Sequence, residues 1–295
     1  MILTRLIPVV SLALAVGATN AQAQSYERAR QNGQLLCRSS RTFTYALSTT
    51  GGHPTDAERA AIEAAVSAWR QAASSCSDLV FERAADVPDG KLTLGDGKTL
   101  ITFYTVNCAD IVPSADECVI NGTCAEKYGC WDYTPSDVVW APVFFSPGTG
   151  EVLGAHIRLN TGSGFLTTVD GPPCARGTTG PDCVAGDVQS LVTRSIGEAL
   201  GFALLERTDS TMSSTLKWGD TQKRTIDPGT LQGLCEVYPR GQPTPDCASV
   251  NPPGADGGTP PGEPAPPAKG GCSTMPSEPL LGVLVLLLGA RRRKA

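Results

Sequence analysis

The chain has 295 residues, of which 41% are hydrophobic and 6% aromatic, enough for one folded domain with a substantial core and flanking segments. Its net charge is −5; a leader with one arginine and a tail with four basic residues and one acidic take positive charge away, leaving a body at −9. So acidic a body argues against nucleic acid as a partner, and with only two histidines, His53 and His156, no three-histidine metal site can be built.

Residues 1–23 place Arg5 before the apolar run Leu6 to Val16 and end in Ala21-Gln22-Ala23, the pattern of a secretory signal peptide. The run is short of the roughly 20 apolar residues of a membrane span, so the mature chain is expected to begin near Gln24. Eleven cysteines fit export: ten lie between Cys37 and Cys247, and Cys272 stands alone. Cys108, Cys118, Cys124 and Cys130 lack the C-x-x-C spacing of a zinc ribbon, which favours disulfides without fixing their connectivity. Cys174 with Cys183 is the best-supported pair, closing a short Gly- and Pro-containing loop. Cys37 with Cys76 and Cys235 with Cys247 are weaker expectations.

Arg41 to Leu47 alternates as a first strand, and a turn through Gly51-Gly52-His53-Pro54 leads into a helix capped by Thr55 or Asp56. Its buried stripe is Ile62, Ala65, Val66, Trp69, Ala72 and Ala73, ending near Ser75. His53 reads as a solvated loop residue. Leu79 to Arg83 and Leu100 to Val106 are the next strands. Asn107 to Pro147 lacks periodicity and reads as a disulfide-stapled surface excursion. Its carboxylates Asp110, Asp116, Glu117, Asp132 and Asp137 form no calcium-loop pattern, so structural calcium stays open. Asn121-Gly122-Thr123 is a glycosylation sequon. Gly150 to Asn160 alternates as a half-buried strand with His156 on its polar side. These elements predict a mixed α/β (α+β) sheet domain over residues 24–239.

Asp187 to Met212 (DVQSLVTRSIGEALGFALLERTDSTM) is the strongest helical signal. Asp187 suits an N-cap, Val188, Val192, Ile196, Ala199 and Ala203 form an apolar stripe, and Gly201 suits the end. Arg194 and Glu198 share the opposite face, expected to border a cleft, where a four-residue spacing lets them pair. The stretch resembles the active-site helix of the metzincin zinc proteases, closest to the matrixin branch, in Leu191-Val192, Ile196-Gly197, Ala199-Leu200-Gly201-Phe202 and the methionine-turn residue Met212. That resemblance implies a metzincin-like twisted sheet with two long helices and a closing helix. Its strand at Gly150 to Asn160 would edge the substrate cleft, and the helix would lie within Thr225 to Pro239, with Leu231, Leu234 and Val237 apolar. The three zinc-histidine positions hold Arg194, Glu198 and Leu204, and the general-base position holds Ser195. Arginine and leucine cannot ligate zinc.

Residues 240–270 are a Pro- and Gly-rich linker. Residues 271–295 carry Cys272, an apolar run from Leu280 to Ala290 and a basic end, an order similar to the MYXO-CTERM sorting tags of myxobacterial surface proteins. This implies processing or anchorage at Cys272 and a membrane partner at the cell surface; a plain tail anchor is the alternative.

The function expected is non-catalytic binding or scaffolding of an unknown protein or peptide, with no cofactor. The alternative is a zinc metalloendopeptidase with an unfamiliar ligand set drawn from His156, Glu198, Glu206 and Asp209. No G-x-S-x-G motif and no convincing Cys and His pair support another hydrolase.

Overall fold

The computed structural model describes residues 26–88 and 95–247; the segments read as a signal peptide and as the Cys272 tail, and most of the expected linker, lie outside these described residues. In chain order they form β1 (Arg30–Gln31), β2 (Gln34–Leu35), β3 (Thr42–Leu47), α1 (Asp56–Ser74), β4 (Val80–Arg83) and β5 (Thr99–Tyr104). Three short helices follow, α2 (Cys108–Ile111), α3 (Glu117–Asn121) and α4 (Cys124–Tyr128). Then come β6 (Val139–Trp140), β7 (Val143–Phe145), β8 (Val152–Asn160), β9 (Leu166–Thr167), β10 (Gly186–Asp187), α5 (Val188–Ala199) and α6 (Pro228–Val237).

The main sheet runs β4-β3-β5-β8-β6, with β7 also pairing β8. Its first four strands are parallel, and β6 and β7 run antiparallel to β8. A parallel step from β3 to β4 needs a crossover, which α1 supplies. Along β3, β5 and β8 the odd-numbered residues Phe43, Tyr45, Leu47, Ile101, Phe103, Ile157 and Leu159 enter one core with Ile62, Val66 and Trp69 of α1 and Val192 and Ile196 of α5. Each such side chain contributes roughly 1.5–3 kcal/mol on burial. β5 is buried at every residue, because the segment 107–140 covers the other face of the sheet.

Thr55 and Glu58 make a reciprocal capping box at the start of α1. Trp69 Nε1 donates to Thr193 O at 2.8 Å, and the indole stacks on Phe202 with centroids 6.1 Å apart, so one side chain ties α1 to α5 and to the chain beyond it. Asp187 caps α5 by accepting from Ser190 N at 2.8 Å. Gly201, at φ +90°, turns the chain out of the helix.

Several expectations change. β8 is flanked by β5 on one side and by β6 and β7 on the other; two residues of strand before Pro142 gave no readable alternation within the supposedly irregular excursion. His156 is 4% exposed rather than solvated, because its face of the sheet is covered. α5 is buried on nearly every side, Arg194 and Ser195 included, where a half-open amphipathic helix was expected.

The five disulfides are Cys37–Cys247, Cys76–Cys235, Cys108–Cys130, Cys118–Cys124 and Cys174–Cys183. Only the last matches a pairing read from spacing; Cys37–Cys76 and Cys235–Cys247 are corrected. Packing of α1 on α6 brings Cys76 to Cys235. The C-terminal segment returns past Arg38, where Thr244 Oγ1 donates to Arg38 O at 3.1 Å, and so delivers Cys247 to Cys37.

Candidate functional site

A groove of about 470 Å³ lies between β6, the N-terminal half of α5 and the loop before α6. Val138, Val139, Phe165, Leu191, Leu216 and Trp218 give it its apolar lining. Phe165 and Trp218 meet edge to face at 5.2 Å. Among the described residues β6 ends the sheet, and one side of its backbone has no strand partner there. Within the groove lining, Ser190 Oγ and Trp218 Nε1 are buried without a hydrogen-bond partner. An indole N–H can only donate, so the site offers a donor in want of an acceptor.

The loop wall is held by charge. Arg224 grips Asp187 through Nε at 3.0 Å and Nη2 at 2.7 Å, and also pairs with Asp170. The side-chain hydrogen bond to Asp187 is the main reason its guanidinium is held above the usual arginine range. Lys223 and Asp220, 3% and 8% exposed, pair at 2.5 Å within the same wall. Asp187 therefore serves twice, capping α5 and anchoring the loop that faces it.

One turn further along α5, Arg194 Nε lies 3.3 Å from Glu198 Oε1, the two side chains 7% and 17% exposed. The contact is an ion pair whose angles fall short of a hydrogen bond, and Arg194 Nε, Glu198 Oε1 and Ser195 Oγ all lack hydrogen-bond partners. Burial raises the Glu198 carboxyl above its ordinary range while Arg194 draws it back. Leu204 lies beyond the Gly201 turn, half-buried against the core. Met212, 1% exposed, packs beneath Gly197.

The other expected residues do not join this cluster. His156 points to the opposite face of the sheet, where Nε2 is 2.8 Å from Thr102 Oγ1 and Nδ1 accepts from Arg158 Nε at 3.2 Å. Burial and the Arg158 charge hold it neutral, well below the ordinary imidazole range. Glu206 and Asp209 are exposed. His53 is exposed in its loop, as expected. Among the described residues no three His, Cys, Asp or Glu side chains gather as a metal site.

Sequence reading missed Ser190, Phe165, Trp218 and Arg224. Only Asp227-Pro228, an N-cap followed by proline at the first helical turn, was a local signal for the loop's far anchor. Comparison of the sequence with family models finds no match, and comparison with curated proteins finds none either.

Proposed function

We propose that this is an exported, surface-anchored, metzincin-like domain that holds an extended peptide in the groove beside β6 and does not cut it. The observation that carries the reading is the open edge of β6 facing a groove whose buried Ser190 Oγ and Trp218 Nε1 lack partners. A peptide added to that edge would hydrogen-bond through its main chain and place alternate side chains against Leu191, Leu216 and Trp218. The absence of cutting rests on chemistry: Arg194, Ser195, Glu198 and Leu204 stand where the resemblance puts three histidines and a base, and Arg194 with Glu198 fills that space as an ion pair.

The metzincin likeness is supported by the helix that turns at Gly201, by Met212 beneath Gly197, and by a mixed sheet with two long helices and a closing helix. Export is supported by five disulfides, which persist in oxidising compartments. The C-terminal order around Cys272 supports surface anchorage.

Calorimetry of the purified domain against a library of extended peptides tests the proposal, with Leu216→Arg placed at the groove rim and a general protease assay run alongside. Saturable binding weakened at least tenfold by Leu216→Arg, with no cleavage, is expected. Absence of binding defeats the peptide reading. Chelator-sensitive cleavage lost in Glu198→Ala promotes the zinc endopeptidase with an unfamiliar ligand set instead.

A further inference from the structure

A second cleft, about 380 Å³, opens on the far side of the sheet within the stapled segment that follows β5. Its walls are apolar: Val112, Val119, Trp131 and Tyr133, with Cys108, Cys118 and Cys124 of the two local disulfides. Ser114, Asn107 and Asp132 also line it, and Asn107 Oδ1 and Asp132 Oδ1 are both buried without a side-chain hydrogen bond among the described residues. The backbone brings the two stretches together, since Asn107 pairs with Trp131, the residue before Asp132, as an isolated bridge and Cys108 N donates to Trp131 O at 2.8 Å.

The charges beneath the cleft do not cancel. Arg158 is the cation in contact there among the described residues, and its Nη2 donates to Glu126 Oε1 at 2.6 Å, while Asp132 Oδ1 stands 3.5 Å from Nη1. His156, bound to Arg158 Nε, is neutral, and Tyr104 is held neutral by burial with its phenol pushed up to about 12. One guanidinium thus faces two carboxylates, and Glu126 has the closer contact. Asp132 is left 14% exposed, its carboxyl pushed above the ordinary range by burial and drawn back by the longer Arg158 contact and by the backbone N–H groups of Asp132 and Ala125. The enclosing segment adds charge of the same sign, with Asp110, Asp116, Glu117 and Asp137 against Lys127.

We propose that this cleft binds a primary ammonium group carried on a short apolar stem, with Asp132 as counter-ion, Asn107 Oδ1 as second acceptor, and Val112, Val119 and Trp131 packing the stem. An ammonium supplies three donors and one positive charge, which satisfies both orphaned oxygens and balances the cluster. The stem fits because Val112, Val119 and Trp131 line the same cleft as the two oxygens. Such a group comes either from a lysine side chain of a partner protein or from a free alkylamine. The proposal is independent of the peptide groove, which lies beside α5 and shares no lining residue with this cleft.

The test is a titration of the folded domain, followed through the indole N–H resonance of Trp131, with n-butylammonium, Nα-acetyl-lysine methylamide, and the neutral isosteres 1-butanol and Nα-acetyl-norleucine methylamide. Both ammonium probes should shift that resonance saturably and the isosteres should bind at least tenfold more weakly. A tighter Nα-acetyl-lysine methylamide points to a protein partner, and a tighter n-butylammonium to a free amine. Asn107→Ala, which leaves the Asp132 and Arg158 pair in place, should weaken the ammonium probes several-fold, and Asp132→Asn at least tenfold. Equal binding of ammonium and isostere, or no saturable shift in the unaltered domain, overturns the proposal whatever the variants do.

Discussion

Met212 occupies the space beside Gly197 so fully that a methyl group on the glycine would collide with the methionine thioether and press on Trp69 Cζ2 at 3.1 Å. This is why a glycine, which costs about 1 kcal/mol against alanine in a helix, sits in the middle of α5. Gly197→Ala should destabilise the domain by about 1–2 kcal/mol net, the overpacking outweighing the gain in propensity. Met212→Ala should cost about 2–5 kcal/mol alone, and less when combined with Gly197→Ala. Urea unfolding of the four proteins measures the coupling; strict additivity would show that the two residues do not share that space.

Asp227 provides the pH dependence. Burial pushes its carboxyl up, but hydrogen bonds from Thr230, from Thr211 N and from Thr230 N together hold it below the ordinary range. A depressed carboxyl contributes stability that is complete above the unfolded value, about 3.9, and is lost as the pH falls through the lower folded value. Acid should therefore detach the α6 cap and the turn at Thr211 in one step. Asp227→Asn should lower stability at pH 7 by about 1–3 kcal/mol and remove that part of the acid dependence, as followed by thermal melts between pH 7 and pH 2.

Legibility in the sequence followed range. Thr55, Asp187 and the stripes of α1 and α5 were readable because a cap or a helical face is fixed by neighbours within a few residues. β6, His156 and the groove were not, because each depends on a segment folding back from elsewhere. Nothing near His156 says that 107–140 will cover it, and nothing near Trp218 says that Phe165 and β6 will face it. Arg194 and Glu198 were readable as a pair but not as a buried one, since their spacing fixes only that they share a helix face and not what covers it.

The cysteine pairing makes the same point and is directly testable. Non-reducing digestion should yield Cys37 linked to Cys247 and Cys76 linked to Cys235, bridges spanning 210 and 159 residues. Recovery of Cys37 linked to Cys76 would overturn the arrangement. Cys76→Ser with Cys235→Ser should cost about 2–5 kcal/mol, because closing so long a loop removes much of the unfolded chain's freedom.

The pair at Arg194 and Glu198 gives the last prediction, since it decides what the frame around it can still hold. Two side chains four residues apart on α5, followed by Leu204 beyond the Gly201 turn, stand where the proposed metzincin likeness would put a three-ligand site, with the wrong donors. Removing one partner leaves the other charge buried: Glu198→Ala should cost about 3–5 kcal/mol, whereas Arg194→Met with Glu198→Leu should cost far less. Folding would then not depend on metal, and a chelator should leave the melting temperature of the native sequence unchanged. In Arg194→His, Ser195→Glu, Glu198→His and Leu204→His combined, the same backbone presents three imidazoles and a carboxylate. That variant should take up one zinc per chain by elemental analysis. It should also gain about 4 kcal/mol of stability at a thousandfold excess of free zinc over its dissociation constant. Neutral imidazole is the ligand form, so uptake should fall away as the pH drops below about 6.5. A variant that folds, keeps all five disulfides and binds no zinc at neutral pH would show that α5 and the Gly201 turn do not converge as a three-ligand site, and the metzincin reading of this helix would fail with it.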